Sequence, residues 1–77
     1  MNIETFLEHF RSVFDETEHS EINEDTNFKG LEEWDSMVAL SVIAVVDEEY
    51  NVKLTGDDIR SSTTVADIFD RVQGKSA

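Results

Sequence analysis

Cysteine is absent from this chain. That removes disulfide frameworks and thiolate metal sites, and it fits a reducing compartment. Proline is absent too, and no low-complexity tract or internal repeat marks a linker within the 77 residues. Residues 1–77 are therefore read as one domain. A domain of this size buries only about 60% of its unfolded surface, which leaves room for one core and little for an enclosed active site. Long hydrophobic runs are missing. The most apolar stretch, residues 37–46, is half of the roughly 20 residues a membrane-spanning helix needs. No basic segment leads into an apolar run at Met1, as a secretory leader would require. Basic side chains are scarce, six against 18 acidic ones, giving a net charge of −12. Such a field repels nucleic acid and steers basic protein surfaces inward. On these absences the protein is expected to be cytoplasmic, with no membrane span and no nucleic-acid partner. What is present argues against a disordered acidic tail: 39% apolar residues, among them five Phe and one Trp, enough to build a core.

Ile3, Phe6, Leu7, Phe10, Val13 and Phe14 repeat at the spacing of one helical face. Asn2 is placed to cap it. The pattern predicts a first helix over about residues 3–16, with Glu4, Glu8, Arg11 and Asp15 on its wet side. Residues 17–35 have no clean period. A loop of that length in a small domain is uncommon, and Ile22, Phe28, Leu31 and Trp34 are expected to pin it to the core. A second helix is predicted over about residues 36–50. Its β-branched content leaves a strand reading open, but its length and the lack of a partner strand favour helix. Steps of 100° put Ala39, Ile43, Val46 and Tyr50 on a core stripe flanked by Leu40 and Val42. The outward face then carries Met37, Val38, Ser41, Ala44, Val45 and Glu48, apolar enough to mark an interaction surface. Asn51 ends this helix. Residues 57–61 are expected to form a short helical turn that buries Ile59. Thr64-Val65-Ala66-Asp67 resembles a capping box and opens a last helix built on Val65, Ile68, Phe69 and Val72, with residues 74–77 fraying.

Most chemistry-bearing patterns fail on inspection. Asp25, Asn27, Lys29 and Gly30 mimic the start of a calcium-binding loop, but position 5 is then lysine and position 12 is Ser36, where a bidentate Glu is required. His9 and His19 have no partners at ligand spacing, so no metal site is expected. No histidine is placed by sequence to activate Ser36 as a nucleophile, and no residue pair takes acid and base roles; a catalytic function is not expected. The acidic pairs Glu32-Glu33, Glu48-Glu49 and Asp57-Asp58 read as solvated faces. Ser36 and Asp35 alone would be ordinary helix caps.

Context changes the reading of Ser36. Trp34-Asp35-Ser36-Met37 follows a long first loop, precedes an apolar helix, and lies in a small acidic domain of three main helices. In this combination the chain resembles the acyl carrier protein family, including the carrier domains of polyketide and peptide synthesis. The likeness runs from the Phe6/Phe10 helix to Thr64-Val65-Ala66-Asp67-Ile68. It implies an all-α fold: a small four-helix bundle, three main helices plus one short helix, with a long loop between helices 1 and 2. It also implies that Ser36 carries 4′-phosphopantetheine, attached covalently from coenzyme A by a phosphopantetheinyl transferase that uses Mg²⁺. Asp35 would support that attachment, and Met37, where Leu is commoner, would touch partners beside the arm. The further partners implied are an acyl-loading ligase or transferase and a ketosynthase or other acyl-processing enzymes, met by a monomer. The cargo would be an acyl thioester of fatty acid, polyketide or related specialised biosynthesis. The alternatives are an aminoacyl or peptidyl carrier, including a D-alanyl carrier, and an acidic helical adaptor with no prosthetic group.

The chain departs from the family at the second helix, where carriers of bacterial fatty acid synthesis usually bear acids near its start. Here Glu48 is the one acid on the outward face. Glu32, Glu33, Asp35, Asp57 and Asp58 lie near it in sequence, so the expected partner face is apolar and rimmed by acids, with Asp57 and Asp58 part of it.

Overall fold

Helix α1, Ile3–Arg11, starts where the sequence says it should: Asn2 accepts a hydrogen bond from the Glu4 amide at 2.7 Å, satisfying one of the donors that a helix start leaves open. In this computed structural model, which describes residues 2–76, Phe6, Leu7 and Phe10 fill its buried face. The helix stops five residues earlier than the apolar spacing predicts. Ser12 Oγ donates back to the His9 carbonyl oxygen at 2.6 Å. The amides of Asp15, Glu16 and Thr17 then donate to the Glu33 carboxylate, at 2.7, 3.1 and 2.8 Å, instead of to helix carbonyls. Phe14 still reaches the core, carried there by 3₁₀-type bonds from the Val13 and Phe14 amides to Phe10 and Arg11. Arg11 is half-buried rather than wet, with Nε donating to the Ile22 carbonyl oxygen at 2.8 Å.

The connection from residue 12 to residue 35 contains two short 3₁₀ turns, His19–Glu21 and Phe28–Gly30. Ile22 and Phe28 are fully buried and Leu31 and Trp34 half-buried, so the expected four apolar pins hold. The backbone also ties the loop to the end of the chain: Val65 and Ala66 donate to the carbonyl oxygens of Thr26 and Glu24, at 3.2 and 3.0 Å.

Helix α2, Ser36–Tyr50, ends at Asn51, which turns left-handed at φ 55°, a conformation Asn tolerates better than most residues. Its buried line is Val42 and Val46, with Val38, Ile43, Val45 and Tyr50 packed partly against the core. This rotates the helix relative to the expected wheel. Val38 and Val45 face inward, whereas Leu40 is 62% exposed. Ile43, Val46 and Tyr50 of the expected stripe do meet the core, as does its flank Val42; packing against α1 and α4 adds Val38 and Val45 and leaves Leu40 outside.

Helix α3, Gly56–Arg60, is a single turn closed by a reciprocal capping box between Thr55 and Asp58. Helix α4, Val65–Ser76, opens on the expected box: Thr63 and Thr64 amides donate to Asp67 at 2.9 and 3.1 Å, and the Asp67 amide donates to Thr64 Oγ1 at 3.2 Å. Those bonds hold the Asp67 carboxyl below its ordinary pKa. The helix runs through Gly74 to Ser76 rather than fraying, because Lys75 Nζ is held by Asp58 at 2.8 Å and by the Lys53 carbonyl oxygen at 3.1 Å. Ala77, the last residue of the expected frayed end, lies outside the described residues.

The core joins Phe6 and Phe10 of α1, Ile22 and Phe28 of the loop, Val42 and Val46 of α2, Ile59 of α3 and Val65, Ile68 and Val72 of α4. The Phe6 and Phe69 rings meet edge-on at 5.3 Å, and truncating a phenylalanine in such a core costs about 3–5 kcal/mol. The described residues form three main helices, one short helix and no strand, apart from a single bridge between Asn27 and Thr64. This is the expected small helical bundle.

Candidate functional site

The approach to Ser36 is fixed by an aromatic anchor. The Trp34 ring meets Phe28 edge-on at 4.8 Å and stacks on Phe14 at 6.3 Å, and its amide closes a turn onto the Leu31 carbonyl oxygen at 3.0 Å. Asp35 follows in extended backbone, φ −153° and ψ −175°, and is the N-cap of α2. Its Oδ1 accepts from the Val38 amide at 2.9 Å, and its carbonyl oxygen accepts from Ala39 at 3.0 Å. Asp35 thus does the capping, and Ser36 becomes the first helical residue. Ser36 is exposed, and its hydroxyl makes no hydrogen bond with the described residues. A polar side chain at the positive end of a four-turn helix, excused from capping, is open to modification. An anion attached there would gain about 0.3–1 kcal/mol from the helix dipole.

Beside Ser36 lies an open groove of about 740 Å³. Trp34 and, on α2, Ala39, Leu40 and Ile43 form one wall. Gly56, Ile59 and Arg60 of α3 and Lys29 of the second 3₁₀ turn form the other. Most of that surface is apolar. Sequence spacing could not reveal the groove. Its lining comes from residues 29–43 and from residues 56–60, and only tertiary packing brings those two segments together.

Part of the expected outward face of α2 is exposed. Met37 is 72% exposed and Leu40 62%, with Ser41, Ala44 and Glu48 exposed beside them. Ser41 Oγ is turned back to the Met37 carbonyl oxygen at 3.1 Å. Val38 and Val45 leave this face because they pack on the core. Leu40, read from sequence as a core flank, joins it. Of the acids, Asp57 is exposed and ion-paired with Arg60, as a rim residue would be. Asp58 is not a surface acid: it is buried, closes the α3 capping box, and takes Arg71 and Lys75 of α4 at 3.3 and 2.8 Å. The Lys75 ammonium, with help from Thr55, draws its pKa down to about 2. Glu33 is likewise a structural staple rather than a solvated acid. The Thr17 hydroxyl and the backbone amides of residues 15–17 hold its carboxyl below its ordinary range.

His9 lies 3.8 Å from Glu49, with its ring edge-on to Tyr50 at 5.6 Å. The hollow at Glu16, Glu21, Glu32 and Glu33 lies away from Ser36, and among the described residues no cluster of three or more ligating side chains could hold a metal.

These features suit a phosphate ester on Ser36 Oγ. The oxygen is exposed and unbonded, the helix start favours the charge, and no core side chain would have to move. Compared with curated proteins, the chain matches none. The model of the family described as phosphopantetheine attachment site matches residues 4–72, a span that includes Ser36 and the starts of α2, α3 and α4. The chain therefore belongs to the phosphopantetheine attachment-site family, whose members bear covalently attached 4′-phosphopantetheine.

Proposed function

We propose that Ser36 is the attachment residue and that the protein is a non-catalytic carrier of acyl groups. The observation that carries this reading is the free, exposed Ser36 hydroxyl at the first turn of α2, beside an apolar groove. In the transfer, Ser36 Oγ forms a phosphoester bond while the pyrophosphate bond of coenzyme A breaks. Adenosine 3′,5′-bisphosphate leaves, and the hydroxyl proton passes to the transferase. Asp35 keeps α2 intact up to its first residue, so the hydroxyl is presented on rigid backbone. Its exposed carboxylate supplies charge for the metal and basic groups of a transferase.

The attached group supplies a terminal thiol that holds cargo as a thioester. The chain contains no cysteine, so no internal thiol competes for that cargo. The walls made by Trp34, Leu40, Ile43 and Ile59 suit an acyl chain better than an aminoacyl one, which favours acyl carriage in fatty acid, polyketide or related specialised biosynthesis. Met37 and Leu40 form the apolar contact for the loading ligase or transferase and for acyl-processing enzymes, with Asp57 and Glu48 as charged rim. On this reading residues 1–77 work as one monomeric carrier domain in the cytoplasm, beside the coenzyme A that feeds it.

Incubation with coenzyme A, Mg²⁺ and a promiscuous phosphopantetheinyl transferase should add about 340 Da to the intact mass, the mass of the arm as a covalent modification. Ser36→Ala should fold with an unchanged helical spectrum and gain nothing. An unmodified wild-type protein, or a modified Ser36→Ala variant, contradicts the proposal.

A further inference from the structure

The groove beside Ser36 carries a charge that no carboxylate of the described residues balances. Four of the six basic side chains pair with carboxylates: Lys53 with Asp47, Arg60 with Asp57, and Arg71 and Lys75 with Asp58. Arg11 is half-buried against the loop and spends Nε on Ile22. Lys29 is different. It is exposed and has no carboxylate within ion-pair distance among the described residues, although the chain holds 18 acids. Its Nζ donates to the Arg60 carbonyl oxygen at 2.9 Å and sits 5.8 Å from the centroid of the Phe28 ring. An ammonium has three donors, so two remain for a ligand. Lys29, Arg60 and Ser36 all line the groove.

We propose that the groove holds an acyl cargo whose far end bears a carboxylate, and that Lys29 is the cation that takes it. This rests on the reading of Ser36 as the tether. The apolar walls at Trp34, Leu40, Ile43 and Ile59 accept the methylene chain. Lys29 meets the terminal carboxylate in a charge-assisted hydrogen bond. The Arg60 guanidinium stands on the same wall, its charge shared with Asp57. Asp35 also borders the groove, but its carboxylate is engaged at the α2 cap, next to the tether. A neutral acyl chain gains the walls and nothing from Lys29. A free ammonium at the far end of a cargo meets the Lys29 charge and is disfavoured.

The test compares octanoyl and suberyl loads, which share a carbon number and differ in the terminal carboxylate, on wild-type protein and on Lys29→Gln. Intact mass first verifies the arm and the load. The rate of thioester cleavage by hydroxylamine then reports how well each cargo is sheltered, and NMR shifts of the Ile43, Ile59 and Lys29 side chains report where it lies. In wild type, the suberyl thioester should be cleaved about two- to fivefold more slowly than the octanoyl one, the range of a partly exposed ion pair. In Lys29→Gln the two rates should converge, with the octanoyl rate unchanged. Equal rates in wild type, or a difference that survives Lys29→Gln, overturn the proposal. So does a Lys29 signal that shifts as far in the unloaded, arm-bearing form as in the loaded one, because the arm's own phosphodiester would then be its ligand. Absence of the arm from the intact mass would overturn this inference and the Ser36 reading together, whereas an arm with equally sheltered cargoes overturns this inference alone.

Discussion

Asp58 illustrates how little of a single side chain's role is visible in its neighbours along the chain. Next to Asp57 it reads as half of a solvated acidic pair. In the fold it is buried, caps α3 through Thr55, and ties that turn to α4 through Arg71 and Lys75. Asp57, one residue earlier, stays exposed. With a folded pKa of about 2 against an ordinary 3.8, Asp58 contributes stability that is fully present above pH ~4 and is lost as the pH falls through 2. Asp58→Asn should therefore lower stability near neutral pH by about 1–2 kcal/mol, discounted for the solvent-exposed cations. In a domain of this size that is a melting temperature lower by roughly 5–15 °C. Melts of both proteins from pH 7 to 2 should converge at the acid end. A constant gap across the range would mean that the carboxylate charge is not what matters. Ser36 and Asp35 show the opposite case. Their neighbours along the chain, a polar loop before and an apolar helix after, placed them correctly at a helix start. Only the folded helix start divides the labour, with the cap on Asp35 and the free hydroxyl on Ser36.

At the scale of elements, the existence and order of the helices were legible, and two kinds of detail were not. Amphipathic spacing located α1 and α4, the Thr64/Asp67 box located the start of α4, and Asn51 located the end of α2. The end of α1 was hidden because Glu33, far along the chain, takes the amides that would have extended it. The rotation of α2 was hidden because a helix this apolar satisfies the period at more than one setting. The rotation has a direct test. Leu40→Glu should change stability by no more than about 0.5 kcal/mol, as exposed substitutions do, while slowing loading or acyl transfer by partner enzymes. Val45→Glu should lower the melting temperature by at least about 4–8 °C, because it puts a charge against the core. If Val45→Glu is the benign one and Leu40→Glu unfolds the protein, α2 is turned the other way. The groove belongs to this scale as well. Lys29, Ile43, Gly56 and Arg60 carry no shared motif, and the turn, α2 and α3 make them neighbours only once packed.

The described residues span 32 × 23 × 20 Å, and the chain carries a net charge of −12. At ~0.01 M salt the screening length is about 30 Å, so nearly every acid feels every other; at ~0.15 M it is about 8 Å and only neighbours interact. Self-repulsion costs stability, whereas the mostly exposed ion pairs, which salt also weakens, contribute little. Repulsion should win, and the melting temperature should rise by several degrees between those two salt concentrations in calorimetry. A flat or falling response would show that the charges are already balanced locally. The same field draws basic partner surfaces toward a molecule whose chemistry would be concentrated on one oxygen, and that oxygen can be located directly. After modification with coenzyme A and a transferase, fragmentation of the intact protein should place the whole added mass on Ser36. A mass found on Ser41, Ser61 or any other hydroxyl, or found nowhere, would contradict the account.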